Sequence, residues 1–176
     1  NVFRPADMNE TLECWQIALE SNNTPSVIAL SRQKVPYINP ESSKKNKSKK
    51  GAYLVNTTSH ESNITLIASG TEVELALKVQ DQLKENNIHS KVISMPCMEL
   101  FDKQTEEYKK DLIEEDSLVV TLEAGSITSW QKYIKNKGLN LGIDQFGESA
   151  PYKEVYDHFN LTEEKITNFI QKKLRE

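Results

Sequence analysis

One arginine follows an apolar segment at a position that no helix pattern explains. Arg32 lies between Ser31 and Gln33, at the end of the apolar run 26–31. A guanidinium held at the end of a strand can bind a phosphate or a carboxylate through two parallel hydrogen bonds. Spacing alone favours a structural salt bridge for Arg32 over such a binding role, and both interpretations stay open at this point.

Two turns that follow predicted strands also carry residues able to contact a ligand. Ser69-Gly70-Thr71-Glu72 joins a strand to a helix, where backbone N–H groups can hold an anion. It has one glycine, however, and Glu72 places a negative charge where a phosphate would bind. Glu123-Ala-Gly125 lies at the strand end where open α/β sheets bind ligands. In both places a structural turn is favoured, in which Thr71 or Glu72 caps one helix and Glu123 caps the next.

Other catalytic and metal-binding patterns are missing from the sequence. His60, His89 and His158 are scattered without HxH or HExxH spacing, and there is no Gly-x-Ser-x-Gly motif. Cys14 and Cys97 are far apart and form no CxxC pair. This pattern predicts no metal site and two reduced, buried thiols in a cytoplasmic protein.

Composition limits the possible partners. The 176 residues are 37% hydrophobic and 27% charged, with a formal net charge of -4. That charge offers no overall attraction for nucleic acid. No apolar run approaches the roughly 18 residues of a membrane span. We therefore expect neither a nucleic-acid partner nor a membrane, and a chain large enough for one sizeable core.

The first 40 residues contain too few elements to form a domain. Asp7 is a candidate N-cap with Glu10 three residues later, which predicts a helix to about Glu20. A strand is predicted over 26–31. One helix and one strand cannot bury both of their faces, so we interpret 1–40 as the end of another α/β domain. We also expect residue 1 to lie inside a longer protein.

Residues 41–51 are predicted to be an interdomain linker. Five lysines fall within 41–50, and nothing in that run suits a core. A nucleic-acid or anionic-surface patch is the alternative, but the run has no aromatic residues to stack on bases.

From residue 52 onward, strands and helices alternate, and this pattern favours an α/β domain over 52–176. The first predicted strand should be antiparallel to the second if the two are neighbours, because the loop between them is too short for a crossover. We therefore predict a three-layer αβα fold with a mostly parallel, about five-stranded sheet containing one antiparallel strand. Strands are predicted at 52–56, 64–68, 89–94, 116–123 and 139–146, and helices at 72–86, within 101–112, around 130–134, at 152–159 and at 162–174.

Several short motifs occur in an order that resembles one enzyme family over essentially the whole chain. The first group contains Phe3-Arg-Pro-Ala-Asp-Met-Asn-Glu-Thr11 and Ala29-Leu-Ser-Arg-Gln33. The second contains Ala68-Ser-Gly-Thr-Glu-Val-Glu-Leu75, Val92-Ile-Ser-Met-Pro96, Phe101-Asp-Lys-Gln104, Glu123-Ala-Gly125 and Phe146-Gly-Glu-Ser-Ala-Pro151. Together they resemble transketolases, from the end of the pyrimidine-binding domain through the C-terminal domain.

The resemblance implies a homodimeric, cytoplasmic enzyme that moves a two-carbon ketol unit between sugar phosphates in the pentose phosphate pathway. Such an enzyme uses thiamine diphosphate and Mg²⁺ or Ca²⁺. Within this chain, the resemblance assigns substrate-phosphate binding to Arg32 and assigns no catalytic, cofactor or metal residue. The cofactor would be bound by the protein's own N-terminal and middle domains, so this chain alone is expected to be inactive.

Two other hypotheses remain. Residues 52–176 could be a non-catalytic regulatory or assembly module of another thiamine diphosphate-dependent enzyme. A flavodoxin-like nucleotide-binding protein is the third possibility, and it predicts saturable binding of a nucleotide or flavin.

Overall fold

A five-stranded sheet lies at the centre of the computed structural model, which describes residues 1–38, 45–59, 62–134 and 138–176. The strands of this sheet are β3 (Tyr53–Thr57), β4 (Ile64–Ala68), β5 (Ser90–Ser94), β6 (Leu118–Leu122) and β7 (Leu139–Leu141). Two further strands, β1 (Val2–Phe3) and β2 (Val27–Ile28), pair with each other. The α-helices are α1 (Met8–Glu20), α2 (Glu72–Glu85), α3 (Met98–Asp102), α4 (Glu106–Leu112), α5 (Tyr152–His158) and α6 (Glu163–Lys173). Short 3-10 helices span Lys47–Lys50 and Thr128–Tyr133.

The order of the strands confirms the predicted fold class. The sheet runs β3-β5-β4-β6-β7, and every pair except β3–β5 is parallel. The antiparallel strand is therefore the predicted one, but it lies beside β5 and not beside β4. The crossover from β4 leads to β5 on one side, and the next crossover leads to β6 on the other side of β4.

Alternate side chains of the strands enter two separate cores, one on each face of the sheet. On β4, Ile64, Leu66 and Ala68 pack with α2 and α6, whereas Ile67 packs on the opposite face. The second core contains Phe101 of α3, Leu112 of α4 and Trp130 of the second 3-10 helix. Since the strands are buried on both faces, their apolar runs are nearly continuous, as expected for parallel strands.

The last strand is shorter than predicted. The prediction of a strand over 139–146 is wrong beyond Leu141, because the chain turns at Gly142 to pass close to the segment after β6. A Cβ on Gly142 would lie 2.6 Å from Ile127 Cγ2. The N–H of Ile143 then donates to the carbonyl of Gly125 at 2.7 Å.

The first helix begins as its cap residues predict. Asp7 is the N-cap of α1, and its Oδ1 accepts the backbone N–H of Glu10 at 2.8 Å. Glu10 reaches back to accept the N–H of Ala6 at 2.7 Å. The strand predicted over 26–31 is limited to Val27–Ile28, and its partner Val2–Phe3 was not predicted.

The N-terminal segment, residues 1–38, packs directly on the part of the chain that forms the five-stranded sheet and its helices, from residue 52 onward, which we call the sheet domain. Phe3, Cys14 and Ile17 form a buried cluster with Cys97, which follows β5. Both cysteines are buried and free, as predicted. One side of α1, with Cys14 and Ile17, is thus buried by this contact.

The described part of the lysine-rich run packs against α1. Residues 41–44 of the run lie outside the described part, but Ser48 is fully buried. The backbone N–H and the hydroxyl of Ser48 both donate to Glu13 Oε2, at 2.8 and 2.7 Å. The expectation that nothing in this run enters a core is therefore wrong at Ser48. No helix among the described residues has the length and apolar character that crossing a membrane requires.

Candidate functional site

Arg32, the predicted substrate-binding residue, lies on an exposed segment beyond the end of β2. The arginine is four residues past Ile28, so it does not close the strand as predicted. Just before it, Ser31 Oγ accepts the N–H of Gln33 at 2.9 Å in a local turn. Among the described residues, no ion pair involves Arg32. The alternative of a structural salt bridge therefore has no support within the described residues.

Two open clefts border the segment that carries Arg32. Gln33 lines both: one of about 300 Å³ beside Leu30 and Tyr37, and one of about 750 Å³ between α2, α5 and α6. The larger cleft also holds Lys34 and Lys78. Arg32 itself is not among the lining residues of either cleft. Thr71, from one of the two candidate turns, lines the larger cleft together with Gln33 and Lys34.

A second group of charged residues lies at the carboxyl ends of β4 and β6. Glu72 begins α2 directly after β4, and Glu123 follows β6. Both side chains are buried, and Arg4 bridges them: it pairs with Glu123 through Nη1 and with Glu72 Oε2 through Nη2 at 3.5 Å. We call this place, formed by Ser69, Gly70, Glu72 and Glu123, the carboxyl-end crevice.

The carboxylates of the crevice are held by further donors. Glu72 Oε1 accepts the hydroxyls of Tyr156 and Thr71, both at 2.6 Å. Glu123 Oε2 accepts the indole N–H of Trp130 at 3.1 Å and the hydroxyl of Ser69 at 3.5 Å. Each carboxylate therefore has one oxygen fixed by its own domain and one oxygen next to Arg4.

Burial and ion pairing have opposite effects on the pKa values of Glu123 and Arg4. Burial raises the pKa of Glu123 above its ordinary value, although the hydrogen bond and charge of Arg4 oppose the shift. For Arg4, burial alone would lower the pKa, but the bond and charge of Glu123 and the charge of Glu72 raise it overall. The ion pair with Arg4 thus offsets part of the effect that burial has on the pKa of Glu123.

The predicted helix-capping roles in these two turns differ from the observed contacts. Thr71 is the N-cap residue of α2, but its side chain caps no backbone N–H and instead donates to Glu72. Glu123 caps no helix, because its oxygens are used by Arg4, Trp130 and Ser69. The capping role predicted for Glu123 is therefore wrong.

The crevice does not fit a diphosphate or a metal ion held by a cluster of side chains. Two buried carboxylates would repel a diphosphate, and a guanidinium already lies between them. Nor does any group of three or more His, Cys, Asp or Glu suited to a metal ion occur among the described residues. His60 lies outside the described part of the chain.

Arg4 is the residue that sequence reasoning missed at this site. It occurs in the Phe3-Arg-Pro segment, which we used only as a family motif. Its partners lie 68 residues away at Glu72 and still further along the chain at Glu123. No local spacing rule connects positions so distant in sequence.

A further buried carboxyl, that of Glu10, joins α1 to the sheet. Glu10 Oε1 accepts the hydroxyl of Ser94 on β5 at 2.5 Å and that of Tyr53 on β3 at 2.7 Å. Burial raises the pKa of Glu10 to about 7, although the hydrogen bonds from Ser94, Tyr53 and Ala6 oppose the shift. This carboxyl is enclosed by protein and reaches no cleft described above, so its role is structural.

Comparison with known proteins identifies the family. The model of the transketolase-like TK C-terminal domain matches residues 51–162. The chain therefore belongs to the transketolase-like C-terminal domain family, and the resemblance inferred from the motifs is confirmed.

Individual relatives extend the similarity beyond that domain. A transketolase of Aquifex aeolicus is 37% identical over 98% of this chain. A transketolase of Pichia stipitis, solved in complex with fructose-6-phosphate, superposes with a TM-score of 0.90 at 33% identity, over 99% of this chain. In both comparisons this chain spans 25% of the other protein's length. A split-gene transketolase described as an inactive β4 tetramer shares the fold, with a TM-score of 0.76 at 20% identity over 99% of this chain and 56% of that one.

Proposed function

We propose that this chain is the C-terminal quarter of a transketolase, which transfers a two-carbon ketol unit between ketose and aldose phosphates in the pentose phosphate pathway. The observation that carries the proposal is the match to transketolases along nearly the entire chain, including the first 40 residues. The location is proposed to be the cytoplasm, on the strength of the resemblance alone.

In this proposal the chain supplies scaffold, and the reacting groups belong to other parts of the protein. Thiamine diphosphate and Mg²⁺ or Ca²⁺ would be bound by the N-terminal and middle domains. The composition of the carboxyl-end crevice supports this division, since buried carboxylates and Arg4 fill the place where an open sheet would bind a ligand. Residues 1–40 would be the end of the middle, pyrimidine-binding domain, 41–51 the linker and 52–176 the C-terminal domain.

Arg32 is proposed to bind the phosphate group of the sugar substrate. Its side chain is exposed and has no ion-pair partner among the described residues. A guanidinium presents a rigid set of donors that matches a phosphate. The residues that complete the substrate site would then come from polypeptide outside this chain.

The outer side of α1 is proposed to contact the preceding part of the same polypeptide. Its apolar side chains form a stripe at helical spacing, and each is more than half exposed. The opposite side of the helix, with Cys14 and Ile17, is already buried against the sheet domain. An apolar stripe of this kind normally lies against another element. We call it the outer stripe of α1; its residues are Met8, Leu12, Trp15 and Leu19.

Assembly is the second candidate role. The split-gene transketolase, whose fold this chain shares, is described as forming a tetramer of one chain type that is inactive. The intact protein is proposed to be a homodimer, with this chain contributing contacts. Light scattering on the chain tests the assembly role, and a strict monomer at high concentration would contradict assembly by this part alone.

A paired activity assay tests the main proposal. The 176-residue chain and the full-length protein would each be supplied with thiamine diphosphate, Mg²⁺ and a ketose and aldose phosphate pair. Ketol transfer is expected from the full-length protein only. Turnover by the short chain would contradict the division of roles, and absence of turnover by the full-length protein would contradict the assigned activity.

A further inference from the structure

Arg4 lies across the ends of two neighbouring strands and is fixed there by its backbone. Its N–H donates to the carbonyl of Pro96, just after β5, at 2.8 Å. Its carbonyl accepts the N–H of Gly70, just after β4, at 2.9 Å. Gly70 has a φ of +57°, a backbone conformation that favours glycine. The backbone of residue 4 thus directs its side chain toward the carboxyl-end crevice.

The crevice lies at the position where this topology binds ligands in other proteins. The crossover that leaves β4 leads to β5 on one side of β4, and the crossover that enters β6 leads to the other side of β4. The carboxyl ends of β4 and β6 therefore form a topological switch point. Glu72 follows one of the two strands and Glu123 follows the other. What occupies the switch point here is the guanidinium of Arg4.

The two carboxylates are positioned by residues of the sheet domain. Tyr156 and Thr71 fix Glu72, and Trp130 fixes Glu123, as described above. Their side chains are 1% and 3% exposed, whereas that of Arg4 is 36% exposed. The acidic partners are therefore buried parts of the domain, and the cation enters from the surface.

Charge and shape both favour a guanidinium in this place. Two carboxylates whose side chains are only 1% and 3% exposed are strongly destabilising without a cation. A planar guanidinium can donate to two carboxylates at once from its separate nitrogens, whereas an ammonium is a compact point charge. The geometry points to a preformed site for an alkylguanidinium.

We propose that the carboxyl-end crevice is a guanidinium-binding site and that Arg4 fills it as an internal ligand. In filling it, Arg4 joins the N-terminal segment to the sheet domain. A tethered ligand has a high effective concentration, so soluble guanidinium compounds should not compete with it at moderate concentrations. This inference is independent of the transketolase activity proposed above.

Chemical rescue of an arginine variant tests the proposal. Arg4→Ala is expected to lower the Tm by about 5–10 °C, because it leaves the two carboxylates without their cation. Millimolar ethylguanidinium should restore at least half of that loss in a saturable manner. Ethylammonium at the same concentration should restore much less. The measurements would be made at about pH 8, where ordinary carboxyl groups are ionised.

Two controls separate site binding from general salt effects. Wild-type protein should show no stabilisation by ethylguanidinium, because Arg4 occupies the site. Arg175→Ala removes an exposed arginine near the C-terminus and should behave as the wild type does. Equal responses in all three proteins, or equal rescue by the two cations, would overturn the proposal.

A refolding assay covers the case in which Arg4→Ala aggregates. The readout is then the yield of soluble protein after refolding with and without ethylguanidinium. A selective increase in yield with ethylguanidinium over ethylammonium is expected. An unchanged yield would overturn the proposal.

Discussion

At the scale of single residues, the buried carboxyl of Glu10 makes stability depend on pH. The folded-state pKa of Glu10 is about 7, whereas an exposed glutamate has an ordinary pKa of 4.5. The native state therefore binds more protons than the unfolded state between these two values. The contribution of Glu10 to stability is present in full below the unfolded-state pKa and is lost as the pH rises through 7.

Glu10→Gln removes this titration. Titration of Glu10 should lower the free energy of unfolding of the wild type by up to about 3 kcal/mol between about pH 4.5 and pH 7. The variant should not show this decrease. Urea unfolding at several pH values measures the difference. Glu20→Gln, on an exposed position of the same helix, is the matched control and should keep the wild-type pH dependence. Parallel profiles for wild type and Glu10→Gln would contradict the assignment.

At the scale of elements, Gly51 joins the lysine-rich run to β3 at a point of close backbone approach. Its φ is +83°, and a Cβ there would lie 2.2 Å from the backbone N of Phe101 and 2.4 Å from the carbonyl O of Cys97. Backbone atoms cannot move aside as a flexible side chain can, so the start of β3 and the start of α3 depend on glycine here.

Gly51→Ala is therefore expected to destabilise the chain by about 3 kcal/mol, through the clash and the unfavourable φ. Gly147→Ala is the matched control, since no atom lies within 4 Å of the added Cβ. Its effect should stay within about 0.5 kcal/mol. Similar unfolding midpoints in urea for the two variants would contradict the close packing at Gly51.

The elements were largely predictable because strands that are buried on both faces of the sheet have nearly continuous apolar sequences. The parallel central strands of the sheet were predicted from the apolar runs of β4, β5 and β6 and from the helical spacing of α2. The failures concern contacts between distant segments: Gly142 ends β7 because Ile127 lies against it, and Ser48 is buried because Glu13 accepts its hydrogen bonds. Arg4 was missed for the same reason, since only the folded chain brings it to Glu123.

At the scale of the whole molecule, the outer stripe of α1 is the surface proposed to contact polypeptide beyond this chain. The double variant Leu12→Gln/Leu19→Gln should change the Tm of the 176-residue chain little, because both side chains are already exposed. In the full-length protein it should lower the Tm by several degrees, since polar groups would then be buried. Phe169→Gln, at an exposed position on α6, is the control. Equal shifts in the short and full-length proteins would contradict the proposed contact.

Arg32 could be proposed from sequence as a site residue, but its surroundings could not be predicted, because this chain supplies no partner for it among the described residues. We propose that phosphate binding at Arg32 is the one direct contribution of this chain to the substrate site. The other contributions that we propose for the chain concern folding and domain contacts.

The most direct test is the KM of full-length Arg32→Ala for phosphorylated and unphosphorylated acceptor sugars. Loss of one charge-assisted contact should raise the KM for the phosphorylated sugar about 10- to 100-fold. The KM for the unphosphorylated sugar should stay close to the wild-type value, and Arg175→Ala should change neither. Equal increases for both sugars, or no change for either, would contradict the account.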